Sequence, residues 1–263
     1  MYILFTEVSE AIRPRTRGKE QTIIHQYIDI VKNKIAISSI LYLICLVPSL
    51  AREVLVIDPG HPSENGIGTK TRAGIREVDI NWEVSSRLQE LLASDARVAC
   101  LLTKQSASET VTNRRRAEIA NTASASLLLR FHCDSGKGHG MTLYYPAVSG
   151  KLGDHYGPPN GVCSASAILA NRLTHSLRQR FGARYPVNLR TDRQTAIGAR
   201  QGALTGSIFS RVPVITIEMG YLDNPRDVEI ILSTSTRELL VEALAASVLD
   251  TLLPGNATVP TDL

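Results

Sequence analysis

The sequence predicts an α/β fold: a single domain with a mixed, mostly parallel sheet of about five or six strands and helices on both faces. Three observations carry this expectation. From Val54 onward, short apolar runs alternate with amphipathic stretches, the pattern of a sheet with helices packed on it. The 263 residues are enough for one well-buried domain of about 200 residues and an accessory segment. A composition of 43% hydrophobic and 21% charged residues fits neither a disordered chain nor a multi-span membrane protein.

The elements follow in order. After the first strand, which starts at Val54, and a Gly-rich loop, Ile80, Val84, Leu88, Leu91 and Leu92 recur at helical spacing and predict a helix over Asp79 to Ser94. Arg97 to Leu102 is a second strand. Thr110 or Thr112 can cap a helix carrying Ala117, Ile119 and Ala120, and Leu127 to His132 returns as a strand. Gly140 to Tyr145 is a further short strand. Between Pro146 and Val162 the composition shifts to Gly, Pro, Asn and Ser, which predicts a surface loop inserted near the site. Ile168, Leu169, Leu173 and Leu177 mark a helix from Ser164 to Phe181. Residues 186–212 have little apolar periodicity and read as a strand near Asn188 to Arg190, then loop and a short helix. Val214 to Met219 is the last strand, Asn224-Pro225-Arg226-Asp227 opens a short helix, and Ser235 to Leu253 forms a long one.

Residues 1–51 read as an N-terminal extension and signal peptide, 52–254 as the α/β domain and 255–263 as a short polar tail. Lys32 and Lys34 precede the mostly apolar run Ile35 to Val47, and Ser49-Leu50-Ala51 has the small-x-small pattern of a signal-peptidase site. The run is shorter than the roughly 20 residues of a spanning helix. Export to the periplasm or the extracellular envelope is therefore expected, with no stable membrane insertion after cleavage. Residues 1–31 are longer and more polar than an n-region should be, as a misassigned upstream start would produce. A formal charge of +4 with only 5% aromatic residues and no basic stripe argues against a nucleic-acid partner. Cys100, Cys133 and Cys163 are an odd set in the mature chain, which argues against a disulfide framework.

Three strand ends carry chemistry. His61 follows the first strand, His132 ends the third and Glu218 lies in the last, while Glu77 stands just ahead of the first helix. In an open α/β sheet, ligands bind outside the carboxyl ends of the strands. Two histidines and a carboxylate suit Zn²⁺ with one coordination position left open, and a second carboxylate can move protons. On this reading His61, Glu77 and His132 are the candidate metal ligands and Glu218 the catalytic acid/base. Asp134 returns to the side of His132 and is a candidate to orient a ligand or join the metal. Cys133 should point to the opposite face, into the core. Each residue also has a plainer reading. The histidines are candidates for ordinary hydrogen-bonded residues, Glu77 for an acid on a helix dipole, and Glu218 for a buried salt bridge with Arg130. His139 and His155, in Gly-rich loops, carry less weight, and His175 lies mid-helix.

Val56-Ile-Asp-Pro-Gly-His61, Arg76-Glu77, Arg114 to Asn121 ending in Ile-Ala-Asn, Phe131-His-Cys-Asp134 and Ile217-Glu-Met-Gly-Tyr-Leu-Asp-Asn224, in that order, resemble the zinc-dependent N-acetylmuramoyl-L-alanine amidases, whose catalytic domain is also called amidase type 3. The resemblance spans roughly Val54 to Leu253. It implies zinc-dependent hydrolysis of the amide between N-acetylmuramic acid and L-alanine in peptidoglycan, with His61, Glu77 and His132 on the zinc and Glu218 as acid/base. Pro62-Ser63-Glu64 stand where that family usually continues with glycines, and Arg130 stands where a small residue is common. Some relatives carry a regulatory helix that an activator displaces. Pro146 to Val162 is too short and too rich in Gly and Pro for such a helix, so an open site is expected, with any protein activator unknown. The rival expectations are a zinc peptidase acting on wall peptides and a catalytically inactive peptidoglycan-binding domain.

Overall fold

The computed structural model describes residues 52–253; the expected signal run 35–47 and the tail 255–263 lie outside them. Strand β1 (Glu53–Pro59) leads through a long loop to helix α1 (Glu77–Leu92), and β2 (Val98–Leu102), α2 (Asn113–Thr122) and β3 (Leu127–Asp134) follow. Next come β4 (Met141–Tyr145), a small hairpin of β5 (Gly150–Leu152) and β6 (His155–Gly157), α3 (Asn160–Phe181) and β7 (Val187–Thr191). Two short helices, α4 (Ala196–Gln201) and α5 (Thr205–Ile208), precede β8 (Val214–Tyr221), α6 (Pro225–Leu232) and α7 (Thr234–Leu252). The six-stranded sheet has the order β2-β1-β3-β8-β4-β7. Strands β2, β1, β3 and β8 run parallel, β4 is antiparallel to β8, and β7 is parallel to β4.

The period-2 alternation of the central strands decides where the core lies and where the site lies. Leu55 and Ile57, Leu129 and Phe131, and Ile215 and Ile217 share one cluster with Val84, Leu88, Leu173, Leu177, Leu244 and Val248, so this face is sealed by α1, α3 and α7. Burying such a side chain contributes about 1.5–3 kcal/mol each. The alternate positions behave differently along their length. Val56, Leu128 and Val214 pack with Ala120, Ala125 and Val212 around α2. Two residues further on, the same rows read Asp58, Arg130 and Thr216, then His132 and Glu218. The second face is thus apolar at its amino end and polar at its carboxyl end, where a cleft forms.

Local signals account for most boundaries. Thr112 caps α2, its side chain accepting from the Arg115 N–H at 3.2 Å. Asn224 caps α6 with Pro225 in the first turn. Asn121, the last residue of the Ile-Ala-Asn motif, donates to Phe209 O at 3.1 Å and accepts from Arg211 N at 2.7 Å, so it ties α2 to the segment entering β8.

Four expectations need correction. Glu77 is the first residue of α1 rather than a loop residue, because Arg76 takes the extended cap position and pairs with Asp79. Helix α3 begins at Asn160, four residues before the apolar face declares itself. The stretch from Pro146 holds the β5–β6 hairpin, turned by Gly153 at φ +58°, and none of its residues lines the cleft. Residues 186–212 do form the expected strand, but they fold into two short helices after it, and these supply a cleft wall.

Candidate active site

His61, Glu77 and His132 bring one ligand atom each to within 4.8 Å of one another. Glu77 Oε1 lies 3.5 Å from His61 Nε2 and 3.2 Å from His132 Nδ1. Two ligands about 2.1 Å from a tetrahedral metal are ~3.4 Å apart, so these separations suit a shared ion. The three residues come from the β1–α1 loop, the start of α1 and the end of β3.

Each is fixed by its surroundings. Glu77 Oε2 accepts from Thr69 N at 2.8 Å, while Glu77 N donates to Thr69 O at 2.9 Å. Its Oε1 accepts from Cys133 N at 3.1 Å and Asn81 Nδ2 at 3.4 Å. His61 Nδ1 lies 3.1 Å from Gly66 O, which leaves Nε2 to face the carboxylate. Gly60 permits the close approach: a Cβ there would lie 2.3 Å from the His132 ring.

The electrostatics favour metal binding. Burial alone would raise the Glu77 carboxyl, but the hydrogen bond and charge of His132, with His61 and the Thr69 N–H, bring it down to about 2. Burial lowers the His132 pKa against the opposing pull of Glu77, so its imidazole is kept neutral, the form that binds a metal.

Glu218 lies opposite His132 in the β3–β8 register and lines the same cleft of about 310 Å³. Its Oε2 is buried without a hydrogen-bond partner among the described residues. Burial, then Glu77 and Asp134, push its carboxyl well above the usual carboxylate range, with Arg130 opposing. The expected alternative partner is engaged elsewhere: Arg130 Nε donates to Asp58 Oδ2 at 2.8 Å and Nη2 to Asn113 Oδ1 at 2.7 Å. Register explains this, because Asp58 stands directly across from Arg130 on β1. Among the described residues Glu218 is therefore not one half of a salt bridge.

Asp134 also lines the cleft, but its carboxylate accepts from Ser135 N at 2.8 Å, and among the described residues it makes no hydrogen bond to His61, Glu77 or His132. Cys133 is buried in the core, as alternation predicts, and Cys100, Cys133 and Cys163 are all free thiols. His139 is paired with the buried Asp227, which also accepts from the Gly140 and Tyr221 N–H groups. His155 Nε2 lies 3.3 Å from Ile208 O; neither histidine lines the cleft. Sequence reasoning missed the wall formed by Ile197, Leu204 and Thr205, along with Asn113 and Thr69. No periodicity marks the wall, and Thr69 acts mainly through its backbone.

The comparisons with known proteins bear on the family and the fold. Residues 55–250 match the family model described as N-acetylmuramoyl-L-alanine amidase. The chain is 27% identical over 217 residues to the N-acetylmuramoyl-L-alanine amidase CwlM of Mycobacterium tuberculosis, covering 81% of this chain and 48% of that protein. It is 28% identical over 211 residues to an uncharacterized cell wall amidase of Bacillus anthracis, covering 76% of this chain and 36% of the relative. The chain thus spans about half, or less, of the length of these curated relatives. The crystal structure of an N-acetylmuramoyl-L-alanine amidase from Clostridium difficile 630 superimposes with a TM-score of 0.61 at 20% identity, covering 78% of this chain and 99% of that one. Ami1 from Mycobacterium smegmatis gives 0.61 at 20% identity, over 77% and 98%. At those identities the structural likeness shows the shared fold. With the family model matched over nearly all of the described residues, the chain belongs to the N-acetylmuramoyl-L-alanine amidase family.

Proposed function

We propose that this protein is a zinc-dependent amidase that cleaves the bond between the lactyl group of N-acetylmuramic acid and the first L-alanine of the peptidoglycan stem. The observation that carries the reading is the convergence of two imidazoles and a carboxylate with a second acid, Glu218, which lines the same cleft and has no hydrogen-bond partner at Oε2 among the described residues. His61, Glu77 and His132 would hold the ion. Zinc held there supplies a Lewis acid that draws charge from the scissile carbonyl and makes water easier to deprotonate.

The chain's own residues do the rest. Glu218 accepts a proton from the attacking water as the new C–O bond forms, then gives it to the departing nitrogen as the C–N bond breaks. The products are a lactyl carboxylate and a free L-alanine amine. A carboxyl whose pKa is raised above the usual carboxylate range holds a proton more readily, which suits it to both transfers. Asp134 and the wall of Ile197, Leu204 and Thr205 would contact the substrate around the reacting bond.

Location follows from the substrate. Peptidoglycan lies outside the cytoplasmic membrane, which agrees with the leader-like residues 32–51 and a mildly positive charge. Helix α3 starts inside the stretch from Pro146 to Val162, at Asn160, and none of that stretch lines the cleft, so it does not cover the site. Glu218→Gln provides the test: amide cleavage should fall by at least ~100-fold while one zinc per chain is retained. An active Gln variant would remove Glu218 from the mechanism.

A further inference from the structure

His61 stands on backbone that has to be held in place. Its φ is +57°, a left-handed conformation that is costly for any residue with a side chain and persists only when surrounding contacts impose it. Those contacts are unusually complete. The carbonyl oxygens of four successive residues each accept from a side chain of another element. Pro59 O accepts from Arg116 Nη1 at 2.6 Å, Gly60 O from Asn81 Nδ2 at 3.3 Å, His61 O from Lys104 Nζ, and Pro62 O from Arg116 Nη2 at 2.9 Å.

Two of these donors are almost fully buried cations, Lys104 and Arg116, each 1% exposed. Arg116 is neutralised by Asp58, so its burial is accounted for as part of an ion pair. Lys104 is not. Its ammonium has no salt-bridge partner among the described residues and spends its hydrogen bonds on two peptide carbonyls, His61 O and Ala107 O at 3.1 Å. Burying a cation against neutral acceptors is expensive, and a methionine would fill the same space at lower cost. What the ammonium does that an apolar side chain could not is fasten the carbonyls of His61 and Ala107, and of these two residues only His61 is a candidate metal ligand.

We propose that Lys104 is a positioning residue for His61, fixing the peptide so that the imidazole stands ready beside Glu77 and His132 before any ion arrives. The inference rests on the metal reading given above and deepens it. A ligand placed in advance binds without the cost of ordering its loop. With Lys104 removed, the His61 peptide relaxes toward negative φ, and the imidazole leaves the position from which Nε2 faces Glu77. Neighbours that orient metal ligands typically change metal affinity by about 10–100-fold when replaced.

The experiment measures the zinc dissociation constant of purified protein by competition with a chromophoric chelator, for the wild type and for Lys104→Met. The variant is read only once its metal-free circular dichroism spectrum matches that of the wild type. The expected result is tight binding by the wild type and at least tenfold weaker binding by a folded Lys104→Met. A folded variant within tenfold of the wild type overturns the role of Lys104 and leaves the metal site standing, whereas a wild type that binds no zinc overturns the metal reading itself. Should Lys104→Met fail to fold, Lys104→Gln takes its place against the same thresholds. If neither variant folds, the lysine holds the fold rather than the ligand, and the inference is overturned.

Discussion

Glu218 is an acid placed where the fold gains nothing from it: half-buried in the cleft, without a hydrogen-bond partner at Oε2 among the described residues, and near two other carboxylates. A stability consequence follows. Because its folded pKa is raised above the ordinary value of 4.5, the metal-free folded state binds more protons than the unfolded chain once the pH exceeds that value, and stability falls as pH rises through the window. Below about pH 4 the group is protonated in both states and contributes no difference. Metal-free Glu218→Gln should therefore melt higher than metal-free wild type at pH 8, with the gap closing toward pH 4; thermal melts at the two pH values check this, and equal melting temperatures at pH 8 would contradict it. Arg130 is the complementary case. The sequence offered it as a cation for Glu218, but sequence shows which residues share a strand face and not the register that sets Arg130 across from Asp58. Arg130→Ala leaves Asp58 with Arg116 and Thr103 alone. Removing one partner of a buried pair costs about 3–5 kcal/mol, and urea denaturation should show a loss of that order, or somewhat less because Arg116 remains.

The strands were legible because their alternation has a physical consequence at both faces. Leu129, Phe131 and Cys133 enter the core while Arg130, His132 and Asp134 occupy the site face, and no other register satisfies both. The 186–212 segment was less legible because α4 and α5 are held by individual contacts rather than by an apolar stripe. Thr195 caps α4 at Gly198 N, and Leu204 N donates to the buried Asp192. The start of α1 was also missed, since a helix can begin on a charged residue when that residue's side chain has work elsewhere; Glu77 faces the histidines rather than solvent. The junction of β1 with its loop gives a prediction at this scale. Gly60→Ala puts a methyl group 2.3 Å from the His132 ring, so the ring must move. Overpacking of this kind costs about 1–3 kcal/mol. The variant should fold with a lower melting temperature and bind zinc more weakly than wild type, as chelator competition would show. Unchanged affinity would mean that His132 has room that the structure does not give it.

At the level of the molecule, one sheet face builds stability and the carboxyl end of the other builds the site, so an ion held by His61, Glu77 and His132 would couple its binding to folding through three points of a single unit. A ligand that binds only the folded state at 100 times its dissociation constant adds about 2.7 kcal/mol, which for a domain of this size corresponds to roughly 5–10 °C in melting temperature. Adding zinc to the chelated protein should produce a shift of that size, and its absence would show that no ion engages the folded state. Among the described residues no helix is long and apolar enough to cross a membrane, and the expected leader lies in the part of the chain outside them. The most direct test of the account is to digest purified peptidoglycan with residues 52–263, with and without a chelator, and to identify the released ends by mass spectrometry. The account predicts stem peptides beginning with a free L-alanine amine, production that stops on chelation and resumes with added zinc. Release of a different amine end, or cleavage indifferent to the chelator, would contradict it.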